Sequence, residues 1–257
     1  MYPAERRQEI VKLLSRDERV NIAELAAYFG VSRASVRRDL NYLHRKGFLQ
    51  RTYGGALRVT LTKGRSEAPF SERQVIHEEE KRRIGEFAAQ LVEPGETIFI
   101  DGGTTTECMV SHLVKQPCLT VVTFGLNIAN RLIGYENITV ILVGGTLHHS
   151  SLTLVGILAL ESIQAYKMHF HKAFIAAGGV SAKWGITNAD FEQIPMKRKA
   201  IETSAQAILL ADSSKVGVVA AGQVCPAEKI HRLVTDVKAP LDEIDKIREL
   251  GIVVDLV

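Results

Sequence analysis

The chain has 257 residues, 46% hydrophobic and 24% charged, which is enough for two domains with cores of their own. Its net charge of +3 hides an asymmetry, because residues 1–65 hold 14 Lys and Arg against 6 Asp and Glu while the remainder holds 18 against 23, a basic head on a mildly acidic body. Three scattered cysteines, no leader and no apolar run of about 18 residues argue against a disulfide framework, a zinc site or a membrane span, and predict a cytoplasmic protein.

In chain order, residues 4–15 place Ile10, Leu13 and Leu14 on one helical face, behind Arg6 and Arg7, which suit phosphates better than bases. The stretch Val20–Asp39 reads as a helix-turn-helix. Asn21 and Glu24 form an Asn variant of the capping box, and Ile22, Leu25, Ala26 and Phe29 follow at the spacing of one buried face. Gly30 ends that helix in the left-handed conformation, and Ser32 caps the next one. There Val36, Leu40 and Leu43 face inward, which turns Ala34, Arg38, Asn41 and Arg45 outward with Ser35 and Arg37 beside them. Gly47–Thr52 and Ala56–Val59 read as the strands of a hairpin whose Tyr53-Gly54-Gly55 turn uses glycine for positive φ.

A helix-turn-helix followed by a basic hairpin is a winged helix, which predicts insertion of the second helix into the major groove of double-stranded DNA. The candidate DNA contacts are Ser32, Arg33, Ser35, Arg37, Arg38, Asn41 and Arg45 on the helix, and Arg51, Tyr53 and Arg58 on the hairpin. Arg38 is expected on a base, and Arg51 and Arg58 on phosphates. The plainer alternative is a solvated basic face on a generic helix pair.

Thr60–Gln74 has no clear period and reads as a linker, so the expected domains are 1–60 (winged helix), 61–76 (linker) and 77–257 (body). His77–Val92 is a helix with Ile84, Phe87, Ala88 and Leu91 on its apolar stripe. Its Glu78–Arg83 run is expected as a solvated face with Glu78–Arg82 and Glu79–Arg83 pairs. Strands are then expected at 97–100, 119–122, 139–143, 171–176, 207–211, 232–235 and 252–255. Helices are expected at 106–115, 125–133, 156–165, 190–204 and 241–250. This alternation predicts an α/β fold with a mainly parallel sheet covered on both faces.

Ligands of such sheets bind beyond the carboxyl ends of the strands. The first strand runs into Asp101-Gly102-Gly103-Thr104-Thr105-Thr106, where backbone amides, hydroxyls and a helix N-terminus suit a phosphate. A βα turn that merely needs glycine explains the loop as well. It lacks the motifs of dinucleotide folds and P-loops, and no cofactor is expected. Lys215, after another strand end, is a candidate partner for the same anion, and Thr123, Asp190, Glu192 and Lys197 are polar candidates for reading the rest of the ligand. His148, His149, His169 and His171 lack metal-ligand spacing, so no metal is expected. Trp184 reads as a lid or as simple packing.

From Arg6 to Ala56 the head resembles the DeoR family of transcription regulators. VSRASVRRDLNYLHRKG and RTYGGAL are similar to that family's recognition helix and wing. The body resembles the family's sugar-phosphate sensor domain, similar in fold to ribose-5-phosphate isomerase. The similar stretches are DGGTTT (101–106), VGGT (143–146), GITNADFEQIPMKRKAI (185–201) and LLADSSKVG (209–217). The resemblance implies a repressor of a carbohydrate catabolic operon, controlled by a phosphorylated sugar. A homodimer or homotetramer fits the symmetry of operators. One departure stands out: Gly178-Gly179-Val180 replaces the family's common Asp-Gly-Ile or Asp-Gly-Val. Isomerases carry acidic residues after that strand, so the alternative of an isomerase with an appended DNA-binding head is disfavoured and no catalysis is expected.

Overall fold

Leucines and isoleucines at helical spacing build the head. The computed structural model describes residues 3–17, 19–45, 49–52, 54–58, 68–114, 116–165 and 167–257. It divides into one unit of Met1–Thr62 with Ser71–His77 and a second of Lys63–Phe70 with Glu78–Val257. The head contains α1 (Pro3–Asp17), β1 (Arg19–Asn21), α2 (Ile22–Phe29), α3 (Arg33–Arg45), β2 (Leu49–Arg51) and β3 (Gly55–Arg58). Ile10, Leu14, Ile22, Leu25, Val36, Leu40, Leu43, Leu49 and Ala56 form its core. Asn21 caps α2 by accepting from Ala23 N at 2.8 Å, and Gly30 ends it at φ 63°. Ser32 Oγ accepts from Ser35 N at 3.2 Å at the start of α3.

Two features of the hairpin differ from expectation. First, β1 joins it, giving a three-stranded sheet in the order β1-β3-β2, with Val20 opposite Ala56. Second, neither Gly54 nor Gly55 has positive φ. Gly55 is needed for clearance instead, because a Cβ there would lie 1.9 Å from Val20 O on the neighbouring strand. Gly47, Phe48, Tyr53, Val59 and the linker residues 60–67 lie outside the described residues. The end of the expected linker is helical: α4 spans Phe70–Val75.

The body opens with α5 (Glu78–Gln90), β4 (Thr97–Ile100), α6 (Thr104–Leu113), β5 (Leu119–Thr123), α7 (Leu126–Leu132) and β6 (Ile138–Leu142). Then come β7 (Thr146–His148), β8 (Thr153–Val155), α8 (Ile157–Ala165), β9 (Phe170–Ala176), β10 (Gly179–Ser181), β11 (Gly185–Asn188) and α9 (Ile194–Glu202). The chain ends with β12 (Ser204–Leu210), β13 (Gly222–Cys225), β14 (Arg232–Thr235), α10 (Leu241–Glu249) and β15 (Val253–Leu256). Seven strands form one parallel sheet in the order β15-β14-β12-β9-β4-β5-β6. Because side chains alternate along a strand, Ile98 and Ile100 enter one core while Phe99 enters the other. Phe174 and Ile175 divide in the same way, so both faces are covered.

The Glu78–Arg83 run is only partly a solvated face. Arg82 pairs with Glu79 at 2.9 Å and Glu86 at 3.2 Å. Glu80 and Lys81 are buried, and Glu80 accepts from Lys238 Nζ at 2.6 Å. An acidic helix start against a lysine beyond β14 is a tertiary pairing that helical spacing does not reveal.

Candidate functional site

On α3 the inward residues fix which side chains remain outside. Ser32, Arg33, Arg37, Arg38 and Asn41 are exposed and Ser35 is half-buried. Ser32 and Ser35 hydroxyls lie 3.1 Å apart, and Arg38 Nη2 donates to Ser35 Oγ at 3.3 Å. The side chains of Arg45 and Arg58, and all of Tyr53, lie outside the described residues. Arg6 and Arg7 are turned inward: their Nε atoms donate to the two oxygens of Asp39 at 2.6 and 2.8 Å. Asp39 is 1% exposed, on the inner side of α3. Arg7 also covers the Tyr42 ring at 4.0 Å. The first helix therefore clamps the second helix of the motif, and its arginines serve the fold before any phosphate. Arg51 reaches back from the hairpin to Asn41 Oδ1 at 2.6 Å.

In the body, the loop after β4 is where the elements converge. Asp101 is fully buried, and its Oδ2 accepts from Ala176 N at 2.8 Å and from Lys197 Nζ. Lys197, on α9 and 2% exposed, also donates to Ala176 O at 2.8 Å. A buried ion pair thus ties α9 to the ends of β4 and β9. Asp101 Oδ1 is buried with no partner. Gly102 and Gly103 follow, then α6 begins with Gly103 as an N-cap that has no side chain to satisfy the first amides. Thr104 and Thr105 stand in that first turn, 5% and 6% exposed. The glycines have a packing reason of their own. A Cβ on Gly103 would lie 2.3 Å from Ala176 Cβ, and one on Gly102 would lie 2.6 Å from a Thr153 methyl.

Several expected ligand groups are already engaged. Thr106 Oγ1 donates to the carbonyls of Asp101 and Gly103, at 2.6 and 2.9 Å. Thr123 Oγ1 donates to Ile100 O at 2.6 Å and accepts from Gly125 N at 3.0 Å. Both therefore brace the loop. Asp190 accepts from Glu192 N at 3.0 Å and Gln193 Nε2 at 3.0 Å, and lies 2.8 Å from His148 Nδ1, which joins the β7–β8 hairpin to the turn before α9. Glu192 is exposed. Lys215 follows β12, which stands two strands from β4, or about 10 Å at ordinary strand spacing. The cation that meets the loop is Lys197.

Asn127 was not anticipated. It sits in the first turn of α7, 7% exposed, and both amide atoms are buried without a partner. Its Oδ1 lies 3.5 Å from where a Gly102 Cβ would be. A buried unsatisfied polar atom costs about 1–3 kcal/mol, and Asn127 and Asp101, which stand on either side of Gly102, both carry polar atoms without a protein partner. Its position just after the second strand end was the available signal. At Gly178 a side chain would press on Ala220 and Asn188 at 3.3 Å. Trp184 is exposed at the β10–β11 turn. Among the described residues no three His, Cys, Asp or Glu side chains group as metal ligands.

Comparison with known proteins gives two family matches. The model for a DeoR-like helix-turn-helix domain covers residues 6–62, and that for the DeoR C terminal sensor domain covers 76–237. The HTH-type transcriptional repressor GlcR of Bacillus subtilis (strain 168) is 35% identical over 236 residues, 92% of this chain and 89% of that one. The glycerol-3-phosphate regulon repressor of Escherichia coli (strain K12) is 30% identical over 241 residues, 94% of each. Ribose 5-phosphate isomerase A of Methanocaldococcus jannaschii aligns over 54% of each chain at 15% identity, with a TM-score of 0.39.

Proposed function

Because the chain belongs to the DeoR family of transcriptional regulators, we propose that it is a repressor of a carbohydrate operon that binds DNA with its winged helix. A phosphorylated sugar or polyol, bound at the Asp101–Thr106 loop, controls it. The observation that carries the effector reading is the unsatisfied, buried Asn127 amide beside the uncapped start of α6. The phosphate takes the amides of Gly102–Thr105 with the Thr104 and Thr105 hydroxyls, while Asp101 Oδ1 and Asn127 receive sugar hydroxyls. The printed name of the glycerol-3-phosphate relative supports a phosphorylated effector. The absence of a carboxylate at Gly178 and Gly179, where isomerases carry acidic residues, favours a sensor over an isomerase. Two heads on two half-sites require a homo-oligomer, and operator and effector meet in the cytoplasm.

Two measurements test this reading. If a dimer neutralises about six to ten phosphates, log Kd against log salt should change with a slope of magnitude roughly 5–9; a flat response would defeat it. Calorimetry should then show a phosphorylated sugar or polyol binding far more tightly than its unphosphorylated form. Asn127→Leu, similar in shape, should stabilise the empty body by about 1–3 kcal/mol while weakening effector binding at least tenfold. A less stable body with unchanged affinity would make Asn127 structural.

A further inference from the structure

Arg51 stands on β2, where a phosphate contact was expected, yet its guanidinium is turned toward α3. Nη1 donates to Asn41 Oδ1 at 2.6 Å and lies 3.4 Å from Arg37 O. Its Nε is buried and the residue as a whole is half-buried, so the group rests against α3 at the surface of the head. A guanidinium carries only donors, so the amide atom that faces it must be the oxygen. The Asn41 nitrogen is then on the far side of the amide, on a residue exposed in the outward row one turn from Arg37 and Arg38. An unrestrained asparagine in the major groove pairs bidentately with adenine, accepting from N6 and donating to N7. Here one of the oxygen's two lone pairs already holds a charge-assisted bond, roughly twice as strong as a neutral one, and that bond turns the oxygen toward the hairpin and the nitrogen away from it. What Asn41 offers a base is a donor.

We propose that Arg51 is a positioning residue for sequence reading. It locks the Asn41 amide so that α3 selects guanine, whose O6 and N7 are both acceptors, at one position of each half-site. The inference rests on the DNA-binding reading of the head and sharpens it. It also takes Arg51 out of the set of phosphate contacts, which makes the two roles separable by salt.

The test uses the full chain and a pool of duplex DNA with a randomised core, sequencing what is retained. Asn41→Ala locates the position that Asn41 reads. Wild type should enrich a G·C pair there. Arg51→Ala frees the oxygen and should move that same position toward A·T by about tenfold in relative enrichment, with the salt slope unchanged. Arg51→Gln keeps a donor for Asn41 without the charge and should keep both the G·C preference and the slope, which guards against a wing that fails to fold in the alanine variant. The proposal falls if the Arg51 variants lower the slope by about one and leave preference alone, as loss of a phosphate contact would. It also falls if Arg51 and Asn41 variants alter different positions. If wild type enriches no sequence at all, the DNA-binding reading itself falls, and the proposal with it.

Discussion

Asp39→Ala should cost the head about 3–5 kcal/mol and abolish operator binding, because it removes the carboxylate that two arginines share in a buried ion cluster. The carboxylate is 1% exposed and accepts from both Arg6 and Arg7, the first of them also buried. A small domain has a total stability of only about 5 kcal/mol to spare, so the loss approaches all of it. The cluster also fastens α3 to α1, since Arg6 and Arg7 come from α1 and Arg7 lies over Tyr42 on α3. Thermal melts followed by circular dichroism, with operator binding by fluorescence anisotropy, provide the check. Replacing all three charges with leucine or methionine should recover much of the stability, since well-packed apolar groups often match a buried ionic triad. An Asp39→Ala protein that melts and binds like wild type would show the cluster to be energetically idle.

The second large effect is expected at Lys197→Met. Asp101 is fully buried and Lys197 is its cation, so the change strands a carboxylate in the body at a cost of about 3–5 kcal/mol. The same substitution unfastens α9 from Ala176 O and from the end of β4. Effector response should therefore disappear, while DNA binding without effector persists, because the head keeps its own core. Differential scanning fluorimetry and an anisotropy titration with and without the phosphorylated ligand separate the two consequences. Retention of both the melting temperature and the effector response would remove Lys197 from the sensing site.

How much of this could be read from residues depends on the reach of each interaction. The seven strands of the large sheet are short β-branched or apolar runs such as Thr97–Ile100 and Arg232–Thr235, and six of them were legible to within a residue, while β12 begins at Ser204, ahead of the expected Ala207. The helix-turn-helix announces itself through local chemistry at Asn21, Gly30 and Ser32. By contrast β1, β7, β8, β10, β11 and β13 lie in small antiparallel sheets, where β7 pairs with β8 and β10 with β11 across short turns, and β1 and β13 are strands only through the distant β3 and β11. The same holds at the sites. Lys197 was a candidate, but its pairing with Asp101 spans 96 residues. An aspartate inside RRDL reads as solvated until Arg6 and Arg7 are seen upon it. Asn127 looks like an ordinary helix-start asparagine, and only the missing partner distinguishes it.

The strand order has a temporal consequence. The head's sheet closes within residues 19–58, so all its pairings are local to the first quarter of the chain. In the body, β4 has β9 as one of its two neighbours, with partners such as Ile98 and Lys172 separated by 74 residues. During synthesis β4 and β5 must wait with an open apolar edge until β9 emerges, and β9 then waits for β12. Pairings so distant in sequence carry a large loop-closure cost and fold slowly. A nascent chain thus carries a finished DNA-reading head well before it has a sensor, and the interval between them is when the molecule is most exposed to aggregation.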